Sequence, residues 1–485
     1  MTGAILSEYL SRTKDSRNVR KNLAVTVFVF LLFAIWSFLK DSFVSYLVAS
    51  IPILLINLLI IVYGCSQKAS DICISGVCII NLCAAMAQAV IGFENSLVIY
   101  AFAVVATVVF AYIIRTLNPN FILFASGVVT ILIFMLCCVM PETNGARAWL
   151  KIGSTPIFQL TEVAKLCYVV FIGALFTSKY NDYAKFFLSV AVTLISAVML
   201  ALRINEFGTL LVMCSALYCT AMISVEKKAW RICWTLGVLV IIGAFVLSYF
   251  TAESKMEKWK CPECDEINHG VIECEKCDKN VKNLEHDFKC ELCRYTTFGP
   301  DIPADPKERS AYTNCDECKK DGFFTTPIGK ISKKIYDRTC AIYNYEYVKV
   351  LGDTYHVDQN INSMKVGKLF GNKDAVVYIP NMDTDSVVAA LMNKLGAVFA
   401  LLILIAFYMV FWGMNNAKSP LRMMAICTFV FQALYTFAGT FNILPMTGIG
   451  MPLISRGGSN LLISFIMIYL MLSAVHKRDN KEGQK

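Results

Sequence analysis

The chain has 485 residues, 56% of them apolar and 17% charged, with a mean hydropathy of +0.57. One soluble core cannot enclose that much hydrocarbon, so the excess must face lipid, which points away from a soluble globular enzyme. The formal charge of +9 falls largely in short loops, where basic residues act as orientation signals, and gives no reason to expect a nucleic-acid partner.

In chain order, apolar runs able to cross about 30 Å of hydrocarbon fall at 22–39, 43–64, 71–92, 96–114, 120–140, 157–177, 184–202, 207–225, 229–250, 387–412, 422–445 and 459–475. About twelve spanning helices are expected. The N-terminal region is long, polar and basic, without the cleavage site of a signal peptide, and is expected to stay cytosolic. With Arg12, Lys14, Arg17, Arg20 and Lys21 inside, alternation puts Lys68, Arg115, Lys185, Lys228, Lys418, Arg422, Lys477 and Arg478 on the same side, as the excess of basic residues in cytoplasmic loops requires. Both termini are then cytosolic, in the cytoplasmic membrane. Residues 141–156, a large loop at 251–386 and a turn at 446–458 lie outside.

The fold class predicted is an all-α polytopic membrane protein carrying an extracytoplasmic, cysteine-rich, zinc-ribbon-like insertion. Residues 1–250 form the N-terminal membrane helices, 251–386 the insertion, and 387–485 the C-terminal membrane helices with a short tail. The stretch from Asn144 to Lys165 starts outside and enters a helix. Arg147 and Lys151 stand on the side where basic residues are disfavoured, which points to an anionic ligand or lipid headgroups. Glu162 and Lys165 are three apart, share a helix face and can pair at membrane depth, facing a cavity or the bundle interior.

Within the insertion, 255–334 is charged and holds four C-x-x-C pairs: Cys261/Cys264, Cys274/Cys277, Cys290/Cys293 and Cys315/Cys318. Each pair can grip one tetrahedral ion, and two pairs close a four-thiolate site, so two structural zinc ions are expected. Disulfides are the rival reading, since an extracytoplasmic setting favours them. The 20 cysteines of the chain point to a reducing or anaerobic habitat in which thiols survive. His269, His286 and Cys340 are left over as solvated or spare residues. The remainder, 335–386, is expected to alternate β-prone pieces such as Tyr345–Val348 and Ala375–Ile379 with polar turns.

Four further segments carry chemistry: R-I-N-E-F-G-T at 203–209, Y-H-V-D-Q-N at 355–360, Y-I-P-N-M-D-T-D-S at 378–386 and L-P-M-T-G-I-G-M-P-L-I-S-R-G-G-S at 444–459. Together with N-G-A-R-A-W and F-Q-L-T-E-V-A-K inside 144–165, they resemble, in order, the signatures of the SEDS (FtsW/RodA/SpoVE) family of peptidoglycan glycosyltransferases. The resemblance runs over roughly 140–475 apart from the cysteine-rich insertion. Departures from the family pattern include Leu160 for proline, Thr161 for serine, Glu206 for aspartate, Asp383 for histidine, Ser386 for phenylalanine, Asn393 and Lys394 for two glutamates, and Arg456 for tyrosine.

The resemblance implies polymerisation of lipid II, the undecaprenyl-pyrophosphate-linked disaccharide, with Asp385 in the position of the catalytic carboxylate. Asp383 beside it is expected to hold a divalent cation, magnesium or manganese, or to raise its neighbour's pKa by like-charge repulsion. Arg147, Lys151 and Arg456 are expected on the pyrophosphate, with Glu162, Lys165 and Ser459 completing the substrate site. A class B penicillin-binding protein, a transpeptidase, is the partner implied. A flippase for the lipid-linked precursor, or a catalytically weak scaffold that recruits the transpeptidase, are the alternatives.

Overall fold

A computed structural model describes residues 16–93, 97–143, 145–153, 155–282, 284, 286–290, 293–298, 322–350, 354–372, 374, 377–413, 419–446 and 448–473. Arg12, Lys14, Asn144, Cys315, Cys318, Ala375, Lys418, Lys477 and Arg478 lie outside the described residues. The chain divides into two compact units. The first comprises 1–231, 360–437 and 448–485, and the second 232–359 and 438–447.

In the first unit the apolar runs fold as helices α1 (Ser16–Leu39), α2 (Phe43–Ser66), α3 (Asp71–Ile91), α4 (Leu97–Thr116), α5 (Pro119–Val139), α6 (Leu160–Thr177), α7 (Asp182–Met199) and α8 (Phe207–Ser224). Helix α9 (Lys228–Glu253) leads into the second unit. After the insertion come α13 (Val387–Leu395), α14 (Ala397–Trp412), α15 (Pro420–Thr440) and α16 (Gly458–Leu472). Among the described residues, ten helices are long and apolar enough to cross a membrane, and α14 and α16 are shorter apolar helices. This is a multi-pass membrane protein. Helices α3 and α6 bury 78% and 72% of their apolar windows, whereas α4 buries 11%, so α3 and α6 form the bundle interior and α4 turns its apolar side outward. Outward-facing Phe28, Ile35, Phe38 and Val98, all more than half exposed, are what a lipid-facing surface needs.

Two features depart from the sequence reading. The run 387–412 is two helices rather than one, broken at Gly396, whose φ of +89° an L side chain rarely adopts. A Cβ at Gly396 would also meet the Leu369 carbonyl oxygen at 2.2 Å. The run at 157–177 becomes helical only at Leu160, because Thr155–Gln159 is strand β2, paired antiparallel with β1 (Trp149–Ile152). Hydropathy alone does not distinguish this β-branched and aromatic stretch from the start of a helix.

The second unit holds a small sheet of order β4-β3-β6-β5, built from β3 (Lys258–Lys260), β4 (Ile267–His269), β5 (His286–Lys289) and β6 (Thr296–Phe298). Strands β3 and β6 run parallel and the other pairs antiparallel. Behind it Trp259, Cys261, Cys274, Val281 and Tyr347 form a small buried core. Then come α10 (Pro327–Tyr343), α11 (Tyr345–Val350) and α12 (Tyr355–Gly367), the last running into the first unit. The β-prone reading of Tyr345–Val348 is therefore corrected to helix. Burial of Tyr347 and Val348, with Tyr347 in the core behind β3, overrides the local propensity. No strand forms at 377–379 either. Helix α10 begins at Pro327, where a missing N–H costs nothing, and the Thr326 hydroxyl accepts from the Gly329 N–H at 3.0 Å.

Candidate functional site

The predicted pair forms on α6: Lys165 Nζ lies 2.7 Å from the Glu162 carboxylate, with both residues buried. The ammonium also donates to Gln432 Oε1 at 2.6 Å, across to α15. Gln432 in turn donates to the Gly450 carbonyl at 2.8 Å. Thr436, one turn along, donates to the Ile449 carbonyl at 3.1 Å, and Asn460 on α16 to the Met451 carbonyl at 2.9 Å. Three side chains thus suspend the 449–451 backbone over the buried ion pair. Sequence reading did not single out Gln432, although a lone amide in an apolar run is itself a signal.

The same motif reaches the other segments. Ser459 Oγ accepts from the Gln159 backbone N–H at 2.8 Å, and the Gln159 side chain donates to Glu206 Oε1 at 2.8 Å. Thr209 donates to the other Glu206 oxygen at 3.0 Å. Burial pushes the Glu206 carboxyl above the ordinary range, against the pull of these donors. The N-terminal stretch is held beside them, since the Arg147 N–H donates to the Ile204 carbonyl at 2.9 Å and the Leu160 N–H to the Ala148 carbonyl at 2.8 Å. The Arg147 guanidinium reaches the Cys138 carbonyl at 3.4 Å, and Lys151 stands 3.5 Å from the Glu142 carbonyl. Among the described residues neither forms an ion pair with a carboxylate, so their charge is balanced by no acid of this unit.

The 378–386 segment docks on the same 450–460 stretch. Ser455 Oγ donates to the Thr384 carbonyl at 2.7 Å and accepts from the Met451 N–H at 2.8 Å. The Arg456 N–H donates to the Asp383 carbonyl at 2.7 Å, and its guanidinium pairs with the Asp383 carboxylate at 3.1 Å. Arg456 and Asp383 were expected to serve different ligands, and here they meet. The pair is partly exposed, so it is worth no more than about 1 kcal/mol and can open for a ligand. Asp385, half-buried, stands two residues before α13, with its Oδ2 at 3.5 Å from where a Cβ on Gly448 would lie. Gly448, at φ +69°, keeps that space open.

A divalent cation at Asp383 fits poorly. Such ions need several oxygen ligands, and the carboxylate is already shared with a guanidinium. Among the described residues, the one group of three or more side chains placed to hold a metal is Cys261, Cys264, Cys274 and Cys277, in the second unit. Their Sγ atoms lie within 4.8 Å of one another, with the Cys261–Cys277 and Cys264–Cys274 pairs at 3.5 Å. Metal–sulfur bonds of about 2.3 Å place tetrahedral sulfurs roughly 3.8 Å apart, so the four thiols fit one ion with no open position. None of the described cysteines is disulfide-bonded. Cys261 and Cys274 head identical knuckles, each accepting from the N–H four residues on, at Asp265 and Asp278, which both take positive φ. Cys290 heads a third of the same form, closed by Arg294 at φ +57°. His269 accepts or donates at the Glu253 carbonyl, 2.7 Å away, rather than joining the thiols.

The sequence model of a family described as cell cycle proteins, FTSW_RODA_SPOVE, matches residues 72–270 and 324–480. The probable peptidoglycan glycosyltransferase FtsW of Riesia pediculicola is 27% identical over 138 residues, which is 25% of this chain and 37% of that protein. The chain thus spans well under half the length of this and similar curated relatives. The probable FtsW of Alkalilimnicola ehrlichii is 25% identical over 367 residues, 72% of this chain and 71% of that one. The solved rod shape determining protein RodA of Thermus thermophilus aligns with a TM-score of 0.42 at 15% identity, covering 82% of this chain and 94% of that one.

Proposed function

The chain belongs to the FtsW/RodA/SpoVE family, and on that premise we propose that it is a peptidoglycan glycosyltransferase that polymerises lipid II. The observation that carries the reading is the network through 449–460, which joins Glu162 and Lys165, Gln159 and Glu206, and the segment bearing Asp383 and Asp385. Curated relatives named as probable peptidoglycan glycosyltransferases support it.

In the proposed reaction the acceptor hydroxyl oxygen attacks the anomeric carbon of the growing chain and the bond to the lipid pyrophosphate breaks. Asp385 takes the hydroxyl proton as general base. Arg147 and Lys151, which lack acidic partners, receive the charge of the departing pyrophosphate. The buried Glu162–Lys165 pair and Ser459 hold the floor of the site. Magnesium or manganese is the cation the family resemblance implies, but Arg456 already supplies a positive charge at Asp383, and no step is routed through a metal ion.

The wider assignment comprises twelve spans, α14 and α16 among them, cytosolic termini and an extracytoplasmic insertion at 251–386. A class B penicillin-binding protein is the partner. The four-thiolate site takes zinc, and a second zinc joins Cys290 and Cys293 to Cys315 and Cys318. The test is a contrast of two cations: Arg147→Ala should weaken lipid II binding about tenfold or more, the loss of one charge-assisted contact, while Lys228→Ala leaves it unchanged. Equal effects on affinity, measured on purified protein, would remove the outer-face assignment.

A further inference from the structure

The second unit contains a continuous set of contacts that the transferase reading does not use. Arg294 closes the third knuckle, where its N–H donates to the Cys290 carbonyl at 2.9 Å. Its largely buried guanidinium lies 3.5 Å from Glu257, which precedes β3, and 3.0 Å from Asp337 on α10. It also donates to Cys340 Sγ at 3.3 Å and lies 5.7 Å from the centre of the Tyr336 ring. One side chain therefore binds the knuckle, the start of the sheet and the buried face of α10. The sheet continues to the four-thiolate site, since Trp259 on β3 is registered with Thr296 on β6 and Cys261 follows β3 directly.

The opposite side of α10 grips the 438–447 turn of the same unit. Arg338 donates to the Met446 carbonyl at 3.0 Å, and Asn442 donates to the Ala341 carbonyl at 3.0 Å. The chain passes from that turn straight into Gly448. With so small a buried core behind β3, the knuckles depend on their ion for order.

We propose that the cysteine-rich module is a metal-set clamp: one zinc ion at Cys261, Cys264, Cys274 and Cys277 orders the sheet, Arg294 passes that order to α10, and Arg338 and Asn442 hold the 438–447 turn. The module then acts as a positioning device for the segment that begins at Gly448. The inference rests on the zinc reading and not on the transferase reading, and its test reads no catalysis.

The full-length protein in detergent is compared with and without its metal by elemental analysis and amide hydrogen exchange. Chelation should release zinc and speed exchange by about tenfold or more both at 258–281 and at 438–447, as expected of one cooperative unit, and added zinc should reverse both changes. Arg338→Ala with Asn442→Ala should keep the zinc and speed exchange at 438–447 alone. The clamp is overturned if no zinc is recovered. It is also overturned if 258–281 loosens while 438–447 stays unchanged, or if the double variant exchanges as the parent does.

Discussion

In the membrane unit, the 449–460 segment hangs on Gln432, Thr436 and Asn460, above an ion pair enclosed by apolar helices. The knuckles of the cysteine-rich unit are backed by a core of five buried residues, two of which are themselves cysteines. The first region has a large apolar bundle behind it, and its polar groups choose one geometry among many that would pack. The second has too little apolar area to fold unaided, and its polar groups make the fold itself. Loss of a partner should therefore mean local misplacement and a buried, uncompensated charge in one region, and loss of the whole structure in the other.

The sharpest contrast is metal removal. A structural zinc contributes on the order of 10–16 kcal/mol in small zinc-dependent folds, so a chelator should abolish protection across 258–281 while the membrane helices keep their far-UV circular dichroism. Recovery of paired disulfides and no metal would break the comparison. A smaller effect is expected inside the bundle, where Lys165→Ala strands Glu162 and should cost about 3–5 kcal/mol. Replacing both as Glu162→Leu with Lys165→Met should recover much of it, because the desolvation cost disappears with the charges. Thermal unfolding in detergent reads both variants, and a double variant no better than the single one would show that the pair is more than a structural choice.

The smallest effect concerns Glu206. Its carboxyl is raised by burial, so its contribution to stability is complete below the ordinary carboxylate range and is lost as pH rises through the raised value. Glu206→Gln keeps the size of the side chain and removes the charge, so stability should fall less between mildly acidic and neutral pH than in the parent. A variant with the parent's pH profile would show that the carboxyl is not desolvated.

Much of this was legible in the chain, for identifiable reasons. Long apolar runs gave the spanning helices to within a few residues at most ends, since hydropathy is a strong signal over about 20 residues. The spacing of Cys261, Cys264, Cys274 and Cys277 anticipated the cluster, because two-residue separations restrict thiol geometry. The break at Gly396 was not legible, as Leu395 and Ala397 on either side are apolar and only the backbone angle betrays it. Helix α10 was missed although Thr326 followed by Pro327 is a helix-start signal. The pairing of Arg456 with Asp383 joins residues 73 apart in sequence, and no local pattern reports a contact of that kind.

The account's central claim is that Asp385 takes the proton in glycan polymerisation. The direct measurement incubates purified protein with labelled lipid II and compares the parent with Asp385→Asn, which keeps the shape of the side chain and removes its basicity. Loss of a general base costs roughly 10²–10⁴-fold in rate, so the account predicts glycan strands from the parent and nearly none from a variant that is otherwise folded and inserted. Polymerisation by Asp385→Asn at the parent's rate would contradict it.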